Sequence, residues 1–424
     1  MMDFQLPAHL PRRLTISLWD FSWYTMTMPG EPFDNLERAF AEAVQRGYNT
    51  VRICAMPFFL FERTGSQRPG PLHLTNLGGE FGQRTRWYNC RGGALLDGHA
   101  HLLSLFRAAK RHNCFIILSS WEYQQSPSFL ATPELHHALL AIPPQERFRT
   151  LARSMAHLIQ FLKDHDLADR IAYTELHNEV DYSKLTAVAE SSAHTLAAMK
   201  PYIAAAVAEL RTRHPDILMT ACYARPMMYR MRDLADNLQV AHFHLYIYGV
   251  LDDLFAMIGL RGGAEPFPNE ATRHVLRPDA PPFEEWRPPT GQEWRLVATG
   301  VSRRLFYVHD WADPDKWDLW LYEHYGVHRE AMRQAIQQRL AAMADWAEQR
   351  GIPAVIGEGY VGYTPLLAGF EEGPVGKDIA EYAIETCRRL GFWGIILCSN
   401  AAPHHPFWQD VAWQQWWNRR ILET

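Results

Sequence analysis

Eight short runs rich in β-branched and aromatic residues recur along this chain, separated by longer stretches of helical periodicity, and few folds satisfy that alternation. The runs are 14–20, 49–54, 115–119, 171–177, 217–222, 239–246, 354–357 and 394–398. Helical patterns lie between them: one entered after Asp34, HLLSLFRAAKRH before the third run, about 144–163 before the fourth, 330–350 and 377–390 before the last two, and a closing helix near 409–421. Strand–helix alternation predicts βαβ units and a parallel sheet, and eight such units predict an α/β fold of the (β/α)8 TIM-barrel type. A doubly wound open sheet is the rival. It would carry a Gly-rich phosphate turn after an early strand, and the chain has none.

Two connections exceed ordinary βα loops, about 58–98 after the second strand and about 249–325 after the sixth. Following strands, both are expected over the C-terminal face, where barrels of this kind hold their sites. No linker or internal repeat interrupts 1–424, so one domain is expected. Of the 424 residues, 47% are hydrophobic and 21% charged, enough apolar surface for a large core. The net charge of -5, without a basic stripe, argues against nucleic acid and anionic membranes as partners. Cys54, Cys90, Cys114, Cys222, Cys387 and Cys398 form no CxxC pair and read as reduced core residues. The opening MMDFQLPAHLPRR lacks the apolar run of a signal peptide, so a soluble cytoplasmic protein is expected.

The chemistry-bearing segments are YTELHNEVD, 173–181, and PAVIGEGY, 353–360. Each closes a hydrophobic strand with an acid, and barrel closure brings strands four and seven across one mouth. Glu179 and Glu358 would then face one cavity. Glycosidic cleavage needs such a pair, one carboxyl to protonate the leaving oxygen and one facing the oxocarbenium-like transition state. At a separation of ~5 Å the second attacks the sugar and configuration is retained. One must stay protonated while its neighbour is ionised, which predicts a bell-shaped pH–rate profile. Asn178 is expected to hydrogen-bond a sugar hydroxyl beside the reacting carbon. The glycines around Glu358 are expected to let the backbone turn sharply.

These segments resemble those of clan A glycoside hydrolases, the family 5 cellulase-like enzymes, over nearly the whole barrel. His177-Asn178-Glu179 resembles the fourth-strand Asn-Glu pair and Gly357-Glu358 the seventh-strand nucleophile. The resemblance therefore implies Glu179 as acid/base and Glu358 as nucleophile. GYNTVRI implies that Arg52 supports the nucleophile. HFHLY, 242–246, implies His244 in the sugar site and Tyr246 bonded to the nucleophile. SLWDFSW, ELHNEVD and SNAAPHHPFWQD are similar to a group described as sugar-binding, cellulase-like proteins. Where the clan ends its eighth strand with a Trp under the sugar, this chain has Leu397-Cys398-Ser399-Asn400. The platform is then expected from Trp19, Trp121 or Trp408, and Asn400 points to a substrate unlike cellulose.

Asp20, Glu122 and Asp181 are strand-end acids suited to sugar hydroxyls, and Glu175, two residues before His177, is expected as a paired carboxylate beneath the site. The 20 histidines show no ligand spacing such as HExxH, so neither a metal nor another cofactor is expected. No Gly-x-Ser-x-Gly elbow supports a serine hydrolase. The reading is a retaining hydrolase of a β-linked glycoside, exo-acting on a short oligosaccharide or glycoconjugate. Its alternatives are a barrel that binds sugar without turnover and a transglycosylase using the same residues.

Overall fold

A computed structural model describes residues 6–62, 70–224, 228–261 and 266–423. The first residues of the N-terminus and parts of both long connections, 63–69 and 262–265, lie outside the described residues. The strands are β1 (Leu14–Asp20), β2 (Thr50–Cys54), β3 (Leu72–Thr75), β4 (Gly92–Leu96), β5 (Phe115–Ser119), β6 (Ile171–Glu175), β7 (Met219–Thr220), β8 (Cys222–Tyr223), β9 (Ala241–Tyr246), β10 (Ala354–Tyr360) and β11 (Gly394–Ile396).

All but β3 and β4 form one parallel sheet in the order β7-β6-β5-β2-β1-β11-β10-β9-β8. β7 and β8 are one barrel strand broken at Ala221. Its first half pairs with β6 and its second with β9, so the sheet comes round on itself as a (β/α)8 barrel. Helices cover the outside with one apolar stripe each. In Leu36–Gln45 the buried positions Leu36, Ala39, Phe40 and Ala43 follow the helical repeat. Asn35 caps that helix by accepting the Arg38 N–H, one residue later than the predicted entry at Asp34.

Three local differences from the sequence reading matter for the site. β6 ends at Glu175 rather than His177, so Glu179 stands on the turn beyond it, in the left-handed region at φ 42°. β10 runs on through Glu358 to Tyr360, so this glutamate lies within the strand. The register of β10 against β9 slips between Ile356 and Glu358, which marks a bulge at Gly357. The flanking glycines serve close approach, not a sharp turn: a Cβ on Gly357 would lie 1.9 Å from Nε2 of His242, and one on Gly359 2.9 Å from the Leu245 carbonyl oxygen.

The first long connection carries the antiparallel pair β3–β4. The described part of the second carries four short helices, and the helix expected from Glu330 begins already at Pro314, running 35 residues to Glu348. Asp313 caps it by accepting the Asp315 and Lys316 N–H groups. All six cysteines are free and buried. No helix among the described residues is long and apolar enough to cross a membrane.

Candidate active site

β2 sends Arg52 into the barrel mouth, where it is wholly buried and donates from all three nitrogens. Its Nε and Nη2 fork onto Glu175 at 2.8 and 2.7 Å, Nη1 donates to Glu358 Oε1 at 2.8 Å, and Nη2 also donates to Asn178 Oδ1 at 2.7 Å. Burial opposes the ionised form of Glu175, but Arg52 and His242 outweigh it and hold the carboxyl below its usual range. Glu175 is thus a counter-ion beneath the site.

Glu179 and Glu358 meet across this base. Oxygens of both carboxyls and a ring nitrogen of His244 all lie within 4.8 Å of one another. His244 Nδ1 is 2.9 Å from Glu179 Oε1 and 3.4 Å from Glu358 Oε2. On its other edge, Nε2 meets the Cys222 sulfur at 3.0 Å. The Tyr246 hydroxyl donates to Glu358 Oε2 at 2.9 Å. Ser399 sits 2.8 Å behind that hydroxyl and accepts the Gly359 N–H. Burial raises the Glu358 pKa, His244 and Arg52 pull it back, and negative charge on Glu179 pushes it up again. Ionisation of one glutamate therefore disfavours ionisation of the other. His244 is pushed down to about 3 by burial, so its ring is neutral.

Gln124, unmarked in the sequence reading, joins two of these groups. Its Nε2 donates to Glu179 Oε2 at 2.8 Å and its Oε1 accepts from Asn178 Nδ2 at 2.7 Å. Trp87 and Tyr363 also went unread; their rings meet edge-on at 4.6 Å, and both line the narrow cavity that holds Glu179 and Glu358. Neither sits on a strand, so no strand pattern marks them.

Trp121 and Asp20 line the same cavity. Arg52 covers one face of Trp121, with Cζ 4.6 Å from the ring centroid. Asp20, at φ 40°, accepts the Ser22 N–H with Oδ1 and turns Oδ2 to 3.3 Å from Nε2 of His404. The remaining sequence candidates do not join the group. Trp19 points outward and packs between Phe33 and Phe40 at 5.1 and 4.6 Å, because odd positions of β1 face the helix layer. Trp408 stacks on Tyr48 at 5.7 Å and donates to Glu42, again outside the barrel. Glu122 ties down the loop after β2, accepting the Phe59 N–H and the Ser120 hydroxyl, and burial raises it to about 7. Asn400 donates to buried Glu371 and is bonded to neither Glu179 nor Glu358 among the described residues. Asp181 accepts the Ala224 N–H at 2.8 Å.

A second cavity of about 250 Å³ opens from Glu179 and is lined by Tyr182, Tyr246, Tyr248, Arg261 and Tyr363, with residues 300–302 on its far wall. The two long connections are joined above the mouth by Asp310, which accepts the N–H groups of Gly82 and Arg84 and the Trp286 indole. Arg86 clamps the first connection to the segment after β10 through Glu372 and the Ala368 carbonyl. Among the described residues two trios of side chains have the spacing of metal ligands, Glu179–His244–Glu358 and Cys222–His242–His244. The buried Arg52 guanidinium bonded among them already supplies positive charge and would repel a divalent cation there.

The fold recurs in a proposed glycoside hydrolase from Parabacteroides distasonis ATCC 8503, with TM-score 0.65 and 17% identity over 97% of this chain and 94% of that one. A hyperthermostable endo-1,4-β-D-mannanase from Thermotoga petrophila RKU-1 matches with TM-score 0.48 and 12% identity, over 91% of this chain and 87% of its own. A family 5 mannosidase from Rhizomucor miehei matches with TM-score 0.47 and 10% identity, over 97% and 94%. The sequence comparison with curated proteins found no match. The model of one family, described as sugar-binding cellulase-like, matches residues 16–69 and 144–422, leaving out the stretch that carries β5, and the chain belongs to that sugar-binding cellulase-like family.

Proposed function

We propose that this protein is a retaining glycoside hydrolase acting on a β-linked sugar. The observation that carries the reading is the pair of buried glutamates, with carboxyl oxygens within 4.8 Å across one barrel mouth. An approach this close suits direct attack by one carboxylate, as in retaining pairs whose carboxyls lie roughly 5–5.5 Å apart.

Glu358 is the nucleophile. Arg52 and Tyr246 donate to its two oxygens, which aims the carboxylate and favours its charge. Glu179 is the acid, on the turn beyond β6. In the first step its proton passes to the glycosidic oxygen as the bond from that oxygen to the anomeric carbon breaks and Glu358 forms the glycosyl ester. In the second step Glu179 takes a proton from water, water attacks the anomeric carbon, and the ester bond breaks. Asn178, held by Arg52 and Gln124, is placed for the hydroxyl next to the reacting carbon.

The two cavities support exo-action. The narrow one touches both carboxyls and is lined also by Phe21, Trp87 and Asp20. The wider one touches Glu179 but not Glu358. The leaving oxygen lies on the acid's side, so the wider cavity takes the leaving group and the reacting sugar lies toward the narrow one. Trp87 and Tyr363 provide the aromatic faces that Ser399 and Asn400 at the eighth strand do not.

The family's description as sugar-binding favours one other reading, recognition without turnover. Release of nitrophenol from a panel of aryl β-glycosides, with binding of the same sugars measured by calorimetry, separates them. Cleavage of one sugar by wild type and not by Glu358→Ala supports the hydrolase. Binding of a sugar with no cleavage in the panel, and none of the matching oligosaccharides, overturns it in favour of the binding protein.

A further inference from the structure

Cys222 lies on the broken barrel strand, deep beside the catalytic pair, and no step above uses it. Its sulfur is 3.0 Å from Nε2 of His244, whose Nδ1 is 2.9 Å from Glu179 Oε1. We propose that Cys222 is a positioning residue for the acid step: its thiol donates to Nε2, holds His244 as the Nδ1–H tautomer, and so keeps the ring from capturing the proton of Glu179. The inference rests on Glu179 acting as the acid.

The argument follows the hydrogens. A neutral imidazole has one N–H and one lone pair. Burial pushes the Cys222 thiol well above its ordinary range, so the sulfur keeps its hydrogen. Among the described residues that hydrogen has one other candidate acceptor, Asn178 Oδ1 at 3.9 Å, which already accepts from Arg52 at 2.7 Å. The thiol hydrogen therefore faces Nε2, the lone pair sits at Nε2, and the ring hydrogen sits at Nδ1. There it points between Glu179 and Glu358, the latter at 3.4 Å.

The tautomer matters when Glu179 is protonated and ready to act. With Nδ1–H beside it, the carboxyl finds no ring lone pair to donate to, and its proton is left for the leaving oxygen. Without the thiol the ring is free to place its hydrogen on Nε2. Nδ1 then accepts the Glu179 proton, the resting acid is stabilised, and proton transfer to the substrate is harder. Arg52, Glu175, His242, Glu358, Tyr246, Tyr363 and Gln124, which among the described residues also face the pair, are the same in both cases.

A thiol that only fills space would lower activity evenly, whereas one that frees a proton matters in proportion to how much the leaving group needs it. With the sugar taken from the aryl-glycoside panel, kcat/KM is measured against leaving groups from dinitrophenol to a simple alcohol. For Cys222→Ala we expect a loss of roughly tenfold or more on the alkyl glycoside and much less on the dinitrophenyl glycoside, and Cys222→Ser, which keeps a donor, recovers most of it. An even loss across leaving groups, or a Ser variant as impaired as the Ala variant, overturns the proposal. A second readout needs no turnover. In protein labelled with nitrogen-15 histidine, the His244 ring is assigned by its absence in His244→Asn. Its shifts should report Nδ1–H in wild type and a move toward Nε2–H in Cys222→Ala; Nε2–H in wild type overturns the assignment. If no glycoside is cleaved, the hydrolase reading falls, and the nitrogen shifts still decide the tautomer.

Discussion

Arg52 Nη1 donates to Glu358 Oε1 at 2.8 Å from a guanidinium with no exposed surface, while its other edge forks onto Glu175. One cation thus aims the Glu358 carboxylate and neutralises Glu175 beneath it. Arg52→Met should abolish activity and, by leaving two buried carboxyls without their partner, cost roughly 3–5 kcal/mol of stability. Arg52→Lys keeps the charge but loses the fork, and should be intermediate in stability yet as inactive. Denaturant unfolding paired with activity checks both. A fully stable Met variant would show that Arg52 is not the counter-ion.

The coupling between the glutamates has a sign. Removing the Glu358 charge should lower the proton affinity of Glu179, since a neighbouring anion disfavours deprotonation. Carbon-13 titration of labelled glutamate carboxyls in wild type and Glu358→Gln measures this. The intact enzyme should show a bell-shaped pH–rate profile. A flat one from mildly acid to neutral pH would count against the pair acting together.

Glu122 predicts how stability depends on pH. Its folded pKa of about 7 lies above the unfolded value of about 4.3. The folded state therefore binds the proton more tightly, and the stability this confers is present at low pH and lost as pH rises from about 4.3 through 7. Glu122→Gln stays neutral and can still accept the Phe59 N–H, so the fall of Tm between pH 5 and pH 8 should become shallower. Glu371, also raised to about 7 by burial, remains in the variant and keeps the slope from vanishing. An unchanged slope would mean that Glu122 does not titrate there.

Asp310 accepts three N–H groups drawn from both long connections. Asp310→Ala should loosen the segment that carries Trp87 and raise KM with a smaller change in kcat. Trp87→Ala should do the same by removing the aromatic face, weakening sugar binding roughly tenfold. If either variant lowers kcat while KM holds, these residues serve the reacting carbon rather than the sugar's grip.

The strand–helix alternation and the acids closing 173–181 and 353–360 are local patterns, and the barrel, the glutamate pair and Asn178 were legible from them, whereas Arg52, His244 and Tyr246 were implied only by the resemblance to the cellulase-like enzymes. Strand position sets which way a side chain points, so position along the chain is enough to put residues at strand ends in the mouth. The eight-strand count held even though the fifth strand is broken at Ala221. The aromatic faces were not legible. Trp19 and Trp121 both sit at the ends of strand-like runs, yet one faces the helix layer and the other the mouth, and Trp87 and Tyr363 come from loops with no period to read. The bulge at Gly357 and the left-handed turn at Glu179 decide where the carboxyls finally sit. Sequence by itself determined the barrel and its paired acids, because hydrophobic period and strand order are written in neighbouring residues. Only the tertiary structure decided the contacts of Gln124, Cys222 and Asp310, because each depends on partners brought together across the chain by the closing of the barrel and the folding of two long connections over it.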